Sequence, residues 1–404
     1  MKPATTMADL EKFRTDVQGW IEKNAPASLL GKLGHHDYEL WGGKKAKYAT
    51  PDARAWLERA AERGFTAPAW PREYGGGGLS KEEAKIVEQE IARKRLPAPL
   101  VGFGLTMIGP TLLEYGTDEQ KREHLTKITR GEIRWCQGYS EPNAGSDLAS
   151  LACSAVRDGD DFVVNGQKTW TSYGDLADWM FVLVRTDAKA KKQQGITFIL
   201  TSLDAPGLTI KPIRLISGAS PFCESFFENV RIPARNVVHE INQGWTVAKA
   251  LLGHERTMIA ALFGSGTRSK NADRVVDLAR KYLEADSGPL PDPILRDRIA
   301  QLLADQACFE LTMQRSRDAV KAGHRPGPET SFFKVYGTEL NQRRQELFVA
   351  LAGQHALGWE GTGYSDEEIA LARDWLRSRG NSIEGGTSEV QLNIIAKRVL
   401  GLPD

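Results

Sequence analysis

The stretch CQGYSEPNAGSDLASLACSAVRDGDDFVVNGQKTWTS, residues 136–172, decides how the chain is read. It opens on Tyr139-Ser140-Glu141-Pro142-Asn143-Ala144-Gly145-Ser146-Asp147, a turn of hydroxyls and small residues whose backbone N–H groups can point outward at an acceptor. An alternating strand follows, then the tight turn Asp158-Gly159-Asp160-Asp161, then a second alternating strand over 162–166. Lys168-Thr169-Trp170-Thr171-Ser172 closes the stretch with a broad aromatic plate beside a hydroxyl. By itself this is a hairpin with a polar lip.

Working outward, the hydrophobic period changes on both sides of the hairpin. Residues 1–131 read as an N-terminal α-helical domain: Ala8–Lys23 and Asp52–Arg63 carry apolar positions at helical spacing. Ser80-Lys81-Glu82-Glu83 is a capping box opening a third helix, and Thr117-Asp118-Glu119-Gln120 caps another that ends near Gly131. From 132 to 240 strands dominate, at 133–139, in the hairpin, and at 179–185, 196–201, 208–213 and 223–230. Short strands with short turns predict a small β-sandwich or barrel. Beyond Gly244 the helical period returns at 246–262, 268–284, 293–322, 331–352 and 366–375, predicting a C-terminal helical bundle domain over 241–404. The fold expected is α+β, with helices, then a β domain, then helices.

A chain of 404 residues can build two or three domains with a substantial core. Its 53 basic and 52 acidic residues leave a formal charge of +1, which gives no footing for nucleic acid or an anionic membrane surface. The first residues, MKPATTMADLEKF, carry no apolar signal core, and no run reaches the length of a membrane span. Cys136, Cys153, Cys223 and Cys308 are scattered without CxxC pairing, as expected of reduced thiols in a cytoplasmic protein. The histidines include the adjacent pair His35-His36 but no HxxxH or His/Cys cluster, so no protein metal site is expected.

Gly75–Gly78 resembles a phosphate loop, but no Lys-Ser/Thr follows it, and a flexible loop is the plainer reading. No GxGxxG follows a strand and no GxSxG elbow occurs, which removes support for a Rossmann site or an esterase. Two carboxylates stand out. Glu255, in Leu251-Leu252-Gly253-His254-Glu255-Arg256, has Trp245, Leu251, Leu252, Met258 and Ile259 as neighbours that would desolvate it and raise its pKa. Glu384 lies in Ser382-Ile383-Glu384-Gly385-Gly386-Thr387-Ser388-Glu389, a glycine turn before the final helix. Each also has a plain structural reading, an ion pair with another helix for Glu255 and a loop acid near a helix N-terminus for Glu384.

With these residues in hand, the sequence resembles the acyl-CoA dehydrogenase family. The resemblance rests on YGTDEQKREHL, GYSEPNAGSDLASL, VNGQKTWTS, FENVRIPARNVV, LLGHERTMIA and IEGGTSEVQLNIIAKRVLGLP, all in order and nearly end to end. It implies FAD as cofactor, an acyl-CoA substrate, and oxidation of its Cα–Cβ bond, as in β-oxidation and other lipid catabolism. It places Tyr139, Ser140, Gly145 and Ser146 where a loop meets the isoalloxazine edge and the substrate mouth. Trp170 and Ser172 match positions that flank the flavin ring and bond near its N5. Thr387, Glu389 and Gln391 match a C-terminal stretch that contacts the dinucleotide. The fit is chemically sound: donors suit the N5/O4 edge and an indole suits the ring face.

The reaction needs a base for the pro-R α-proton and a polarised thioester carbonyl. In the family a flavin ribityl hydroxyl and a backbone N–H supply the polarisation, and the residue matched here is Gly385. Many members carry the base directly before Gly-Thr, a place that holds glycine in this chain, with Glu384 one position early. Fewer members place it on a helix in an xER motif, which His254-Glu255-Arg256 matches. Glu255 is therefore the favoured base, with Glu384 as the alternative and Arg256 contributing to CoA binding or site electrostatics. The Arg-x-x-Phe-Gly stretch with which family homotetramers reach a neighbour's FAD is replaced by Lys281-Tyr282-Leu283-Glu284-Ala285-Asp286-Ser287-Gly288-Pro289. This is similar to bacterial catabolic members acting on steroid side chains or dicarboxylic acids, several of which pair with a non-identical subunit. A homo-oligomer (dimer or tetramer) and a heterotetramer with a related subunit both stay open, with electron-transfer flavoprotein as the expected acceptor. Other readings are a medium- or long-chain acyl-CoA substrate, a flavin monooxygenase or acyl-CoA oxidase on the same scaffold, and a non-catalytic subunit.

Overall fold

A computed structural model describes residues 6–252, 267–283, 290, 292–324, 327–328 and 330–403. The chain divides into two compact units, residues 1–213 with 221–255, and residues 214–220 with 256–404.

The first unit opens with three helices, each started by a side-chain cap. Thr6 and Asp9 cap each other's backbone at α1 (Met7–Asn24). Thr50 accepts from the Ala53 N–H at α2 (Pro51–Glu62), and Ser80 and Glu83 form the expected box at α3 (Lys81–Arg93). Their apolar faces, including Val17, Ile21, Trp56, Leu57, Val87 and Ile91, share one core. The run after Leu100 becomes a π turn over Gly104–Ile108 leading into α4 (Gly109–Tyr115). Pro110 has no N–H to offer the carbonyl four residues back, and the preceding turn widens accordingly. α5 (Asp118–Thr129) carries the Thr117–Gln120 box.

Seven strands follow: β1 (Trp135–Gly138), β2 (Ser154–Asp158), β3 (Asp161–Ser172), β4 (Trp179–Arg185), β5 (Ile196–Ser202), β6 (Leu208–Ile213) and β7 (Phe222–Pro233). β4 lies between β1 and β5, while β2, β3, β7 and β6 are neighbours in that order. The two groups join at Ser154↔Arg185, and side chains from both, among them Phe162, Val164, Met180, Val182, Phe227 and Ile232, fill one interior. The alternate residues of β4, Phe181 and Leu183, face the other way and pack with Leu112, Leu125 and Ile128 of α4 and α5. Each such fully buried apolar side chain contributes about 1.5–3 kcal/mol, which holds the sheet against the helices.

The β3 strand is longer than the sequence reading, which ended it at Gly166. That glycine lies inside the strand because a Cβ there would stand 2.7 Å from the Cys153 Cα. It marks a close approach of two backbones, not a strand end.

A helix, α6, begins at residue 244 and is described as far as residue 252. The second unit contains α7 (Thr267–Leu283), α8 (Pro293–Lys321), α9 (Thr330–Ala352), α10 (Asp366–Ser378) and α11 (Ser388–Ile394). Here α9 is the central element, packed by the other four helices around Leu302, Phe309, Leu340, Phe348 and Leu371. Among the described residues no helix is long and apolar enough to cross a membrane.

Candidate functional site

The polar lip sits where β1 runs out beside the end of β3. The Thr169 N–H donates to the Ser140 carbonyl at 2.8 Å, which ties the turn to the strand. Between Lys168 and Thr171 the register of β3 on β7 slips by one residue, and Trp170 takes the extra position with φ at +60°. A left-handed bulky residue is strained, and the bulge turns its side chain out of the sheet. The indole is consequently 50% exposed, supported edge-on by Phe222 at 5.8 Å. Ser140 and Ser172 flank this region half-buried, and among the described residues neither hydroxyl has a hydrogen-bond partner. Gly145 and Ser146 are exposed, and a Cβ on Gly145 would meet nothing within 4 Å. Tyr139 is buried in the core with its ring edge-on to Phe181 and Phe198. It contributes backbone to the lip while its ring anchors it.

Sequence reasoning missed what holds this lip in place. Lys168 is 0% exposed, and its ammonium lies 2.6 Å from Glu141 Oε1 and 3.2 Å from the Tyr139 carbonyl. The same carboxylate accepts the backbone N–H groups of Cys153 at 2.9 Å and Ala152 at 2.7 Å. One buried ion pair therefore joins the turn, the start of the hairpin and the strand that carries Trp170. The signal was present: Lys168 occupies an inward position of an alternating strand, where an unpaired charge would be costly. Burial also pushes the Cys153 thiol up to about 11. At the far end of the lip, Arg185 donates to the Ala149, Leu151 and Lys192 carbonyls, and Lys192 pairs with Asp147 at 2.7 Å.

In the second unit, the turn before α11 carries Glu384, Gly385, Thr387, Glu389 and Gln391. Glu384 accepts from Arg377 Nη2 at 2.7 Å through one oxygen and from Asn381 through the other. Asn381 is linked through Asn341 to Arg344, which also donates to Gln306. Burial pushes the Arg344 guanidinium down to about 10. Glu384 thus sits at the end of a polar chain rooted between α8 and α9. Gly385 and Gly386 have φ of +61° and +86°, a left-handed pair that only glycine adopts at no steric cost. The Gly385 N–H donates to no described acceptor, while its carbonyl accepts from Gln391 Nε2 at 3.3 Å. Thr387 caps α11 by accepting from the Val390 N–H at 3.2 Å. Glu389 stands in the first turn, its pKa lowered by its own backbone N–H, by the Thr387 hydroxyl and by Lys334.

Glu255 and Arg256 lie outside the described residues, as do Met258 and Ile259. The described part of α6 buries Val247, Ala248 and Leu251 in the first unit's core, with Trp245 and Leu252 packed against it.

The donor set on the lip fits a flavin. An exposed indole offers a face to a planar heterocycle, and two unengaged hydroxyls suit its ring edge. Open space beside Gly145 leaves the turn free to receive it.

Comparison with known proteins gives the same family from three directions. Models of the acyl-CoA dehydrogenase N-terminal, middle and C-terminal domains match residues 32–132, 136–230 and 242–400. The acyl-CoA dehydrogenase IpdE1 of Mycobacterium tuberculosis is 37% identical over 401 residues, covering 98% of this chain and 99% of that protein. A solved structure described as the Tcur3481-Tcur3483 steroid ACAD is 32% identical with a TM-score of 0.76, covering 98% of both chains. The ChsE4-ChsE5 complex from Mycobacterium tuberculosis is 30% identical with a TM-score of 0.73, covering 100% of both chains. The chain belongs to the acyl-CoA dehydrogenase family, FAD-dependent oxidoreductases acting on CH–CH groups.

Proposed function

We propose that this chain binds FAD and introduces a Cα–Cβ double bond into an acyl-CoA thioester. The observation that carries the reading is the exposed Trp170 flanked by the unengaged hydroxyls of Ser140 and Ser172. When bound, FAD supplies the acceptor for the hydride that leaves Cβ. The protein's own groups do the rest. Ser172 and Ser140 donate to the ring edge, and Trp170 covers a face and excludes water. Gly145 and Ser146 leave backbone donors open for phosphate or thioester groups. In the C-terminal unit, Thr387, Glu389 and Gln391 orient the dinucleotide.

Glu255 removes the pro-R α-proton, with Arg256 offsetting the charge of CoA. The Gly385 N–H is suited to polarising the thioester carbonyl, because a donor with no acceptor among the described residues keeps its full strength for the developing oxyanion. Glu384 is a poorer base on the same grounds, since both its oxygens already accept hydrogen bonds. The substrate class favoured is a steroid side-chain acyl-CoA, because a solved structure that covers 98% of this chain is described as a steroid ACAD. That structure and the ChsE4-ChsE5 complex also favour pairing with a related, non-identical subunit, and electron-transfer flavoprotein is the proposed acceptor.

Anaerobic titration of the flavin-loaded protein with a panel of straight-chain, ω-carboxylated and steroid acyl-CoA thioesters tests this. At least one thioester should bleach the flavin band. Failure of every one would remove the dehydrogenase reading.

A further inference from the structure

Arg134, the residue before β1, holds its guanidinium 4.4 Å from the centre of the Trp41 ring and 5.1 Å from that of Tyr173. The two rings are themselves 5.2 Å apart, so the cation rests in an aromatic notch. Trp41 is backed by Phe103 at 6.3 Å and lies against Gly102, where a Cβ would come within 3.0 Å of it. Tyr173 follows Ser172 directly and is held in a left-handed conformation with φ at +52°. All of these residues belong to the first unit.

Among the described residues the guanidinium has no hydrogen-bond or ion-pair partner, although it is only partly open to water. Asp175 and Asp178 lie close enough to act on its charge, but neither hydrogen-bonds the guanidinium, and one oxygen of each is engaged with another group. Asp178 Oδ2 accepts the backbone N–H groups of Arg134 at 2.8 Å and Lys44 at 3.1 Å, and Asp175 Oδ1 takes the Cys223 thiol at 3.5 Å. Lys45 adds a second cation nearby, its ammonium 2.9 Å from the Asp175 carbonyl. Five planar N–H donors held between rings with no acceptor form a fork that matches a carboxylate.

We propose that the Arg134 fork, framed by Trp41 and Tyr173, is a subsite for a carboxylate on the acyl portion of the substrate. The proposal rests on the acyl-CoA reading above and adds a preference among thioesters. It gives Arg134 a specificity role, apart from proton and hydride transfer.

The test compares octanedioyl-CoA with octanoyl-CoA, which differ only in the terminal carboxylate. Binding is read from the flavin spectral shift and turnover from anaerobic bleaching. The flavin-loaded protein should favour octanedioyl-CoA by on the order of tenfold or more, the scale of a hydrogen-bonded charge pair. In Arg134→Gln that preference should vanish while octanoyl-CoA binding stays within about threefold. Arg134→Lys, which keeps the charge but loses the fork, should fall between. Equal preference in the parent protein, a preference surviving Arg134→Gln, or equal loss for both thioesters with a lowered Tm would overturn the subsite, the last marking a purely structural clamp. If neither thioester shifts or bleaches the flavin while the wider acyl-CoA panel does, the subsite alone fails. If no thioester does, the dehydrogenase reading fails and takes the subsite with it.

Discussion

The Lys168 ammonium and the Glu141 carboxylate meet at 2.6 Å inside the β domain, directly beneath the lip that carries Ser140 and Trp170. Removing one partner leaves a buried charge uncompensated, so Lys168→Met should cost about 3–5 kcal/mol of stability. Lys168→Met combined with Glu141→Leu should cost clearly less than the sum of the two single changes, because no charge is then stranded, although the Ala152 and Cys153 N–H groups lose their acceptor. Denaturant unfolding of the three variants checks this. Near-additive losses would show that the pair is not coupled.

His124 gives a pH dependence with a definite sign. It is 1% exposed, wedged between Trp135 at 5.2 Å and Trp179 at 4.7 Å, and its Nδ1 has no hydrogen-bond partner among the described residues. Burial, with a smaller push from Lys127, lowers its pKa from 6.5 to about 4. The unfolded chain therefore takes up this proton near pH 6.5 while the folded chain resists until about pH 4. Stability from this group is complete above pH 6.5 and declines as pH falls through that window, by on the order of 3 kcal/mol in all. His124→Phe should flatten the pH 4–6.5 part of the stability profile relative to the parent. An unchanged slope would contradict the assignment.

Much of this was legible in the sequence, and the exceptions have physical causes. The capping boxes at Ser80 and Thr117 and the strand over 179–185 follow from local chemistry, and the structure has all three. The length of β3 was not legible, because Gly166 and the bulge at Trp170 serve packing with Cys153 and β7, which are distant in sequence. The role of Lys168 depended on Glu141 arriving from another segment, and Arg134 on Trp41 and Tyr173. Long-range partnerships of this kind leave only an oddity in a local pattern.

Ser172 is proposed to donate to the flavin edge, and its hydroxyl has no hydrogen-bond partner among the described residues. Ser172→Ala should weaken FAD binding and slow flavin reduction by roughly tenfold, the scale of one hydrogen bond, without lowering Tm of the flavin-free protein. A normal reduction rate would remove Ser172 from the site. Trp170→Gly should stabilise the flavin-free backbone slightly by relieving the left-handed strain, yet impair flavin retention.

Assembly is open to a direct count. One solved structure that spans the chain is described as the ChsE4-ChsE5 complex, and another carries the paired name Tcur3481-Tcur3483. If the proposed pairing with a related, non-identical subunit holds, this chain purified alone should hold less than one FAD per subunit and gain occupancy when co-expressed with such a subunit. Full, stable occupancy of the isolated chain would favour a homo-oligomer.

Proton abstraction is proposed for Glu255, while Glu384 is engaged with Arg377 and Asn381 in holding the turn at Gly385. The decisive measurement is anaerobic, acyl-CoA-dependent bleaching in Glu255→Gln and Glu384→Gln, each loaded with FAD. Glu255→Gln should bind FAD and substrate but lose bleaching by at least about a thousandfold, the contribution expected of a positioned base. Glu384→Gln should retain bleaching within roughly tenfold, as expected for one hydrogen bond loosened in a turn. Bleaching that survives Glu255→Gln and disappears in Glu384→Gln would put the base at Glu384 instead.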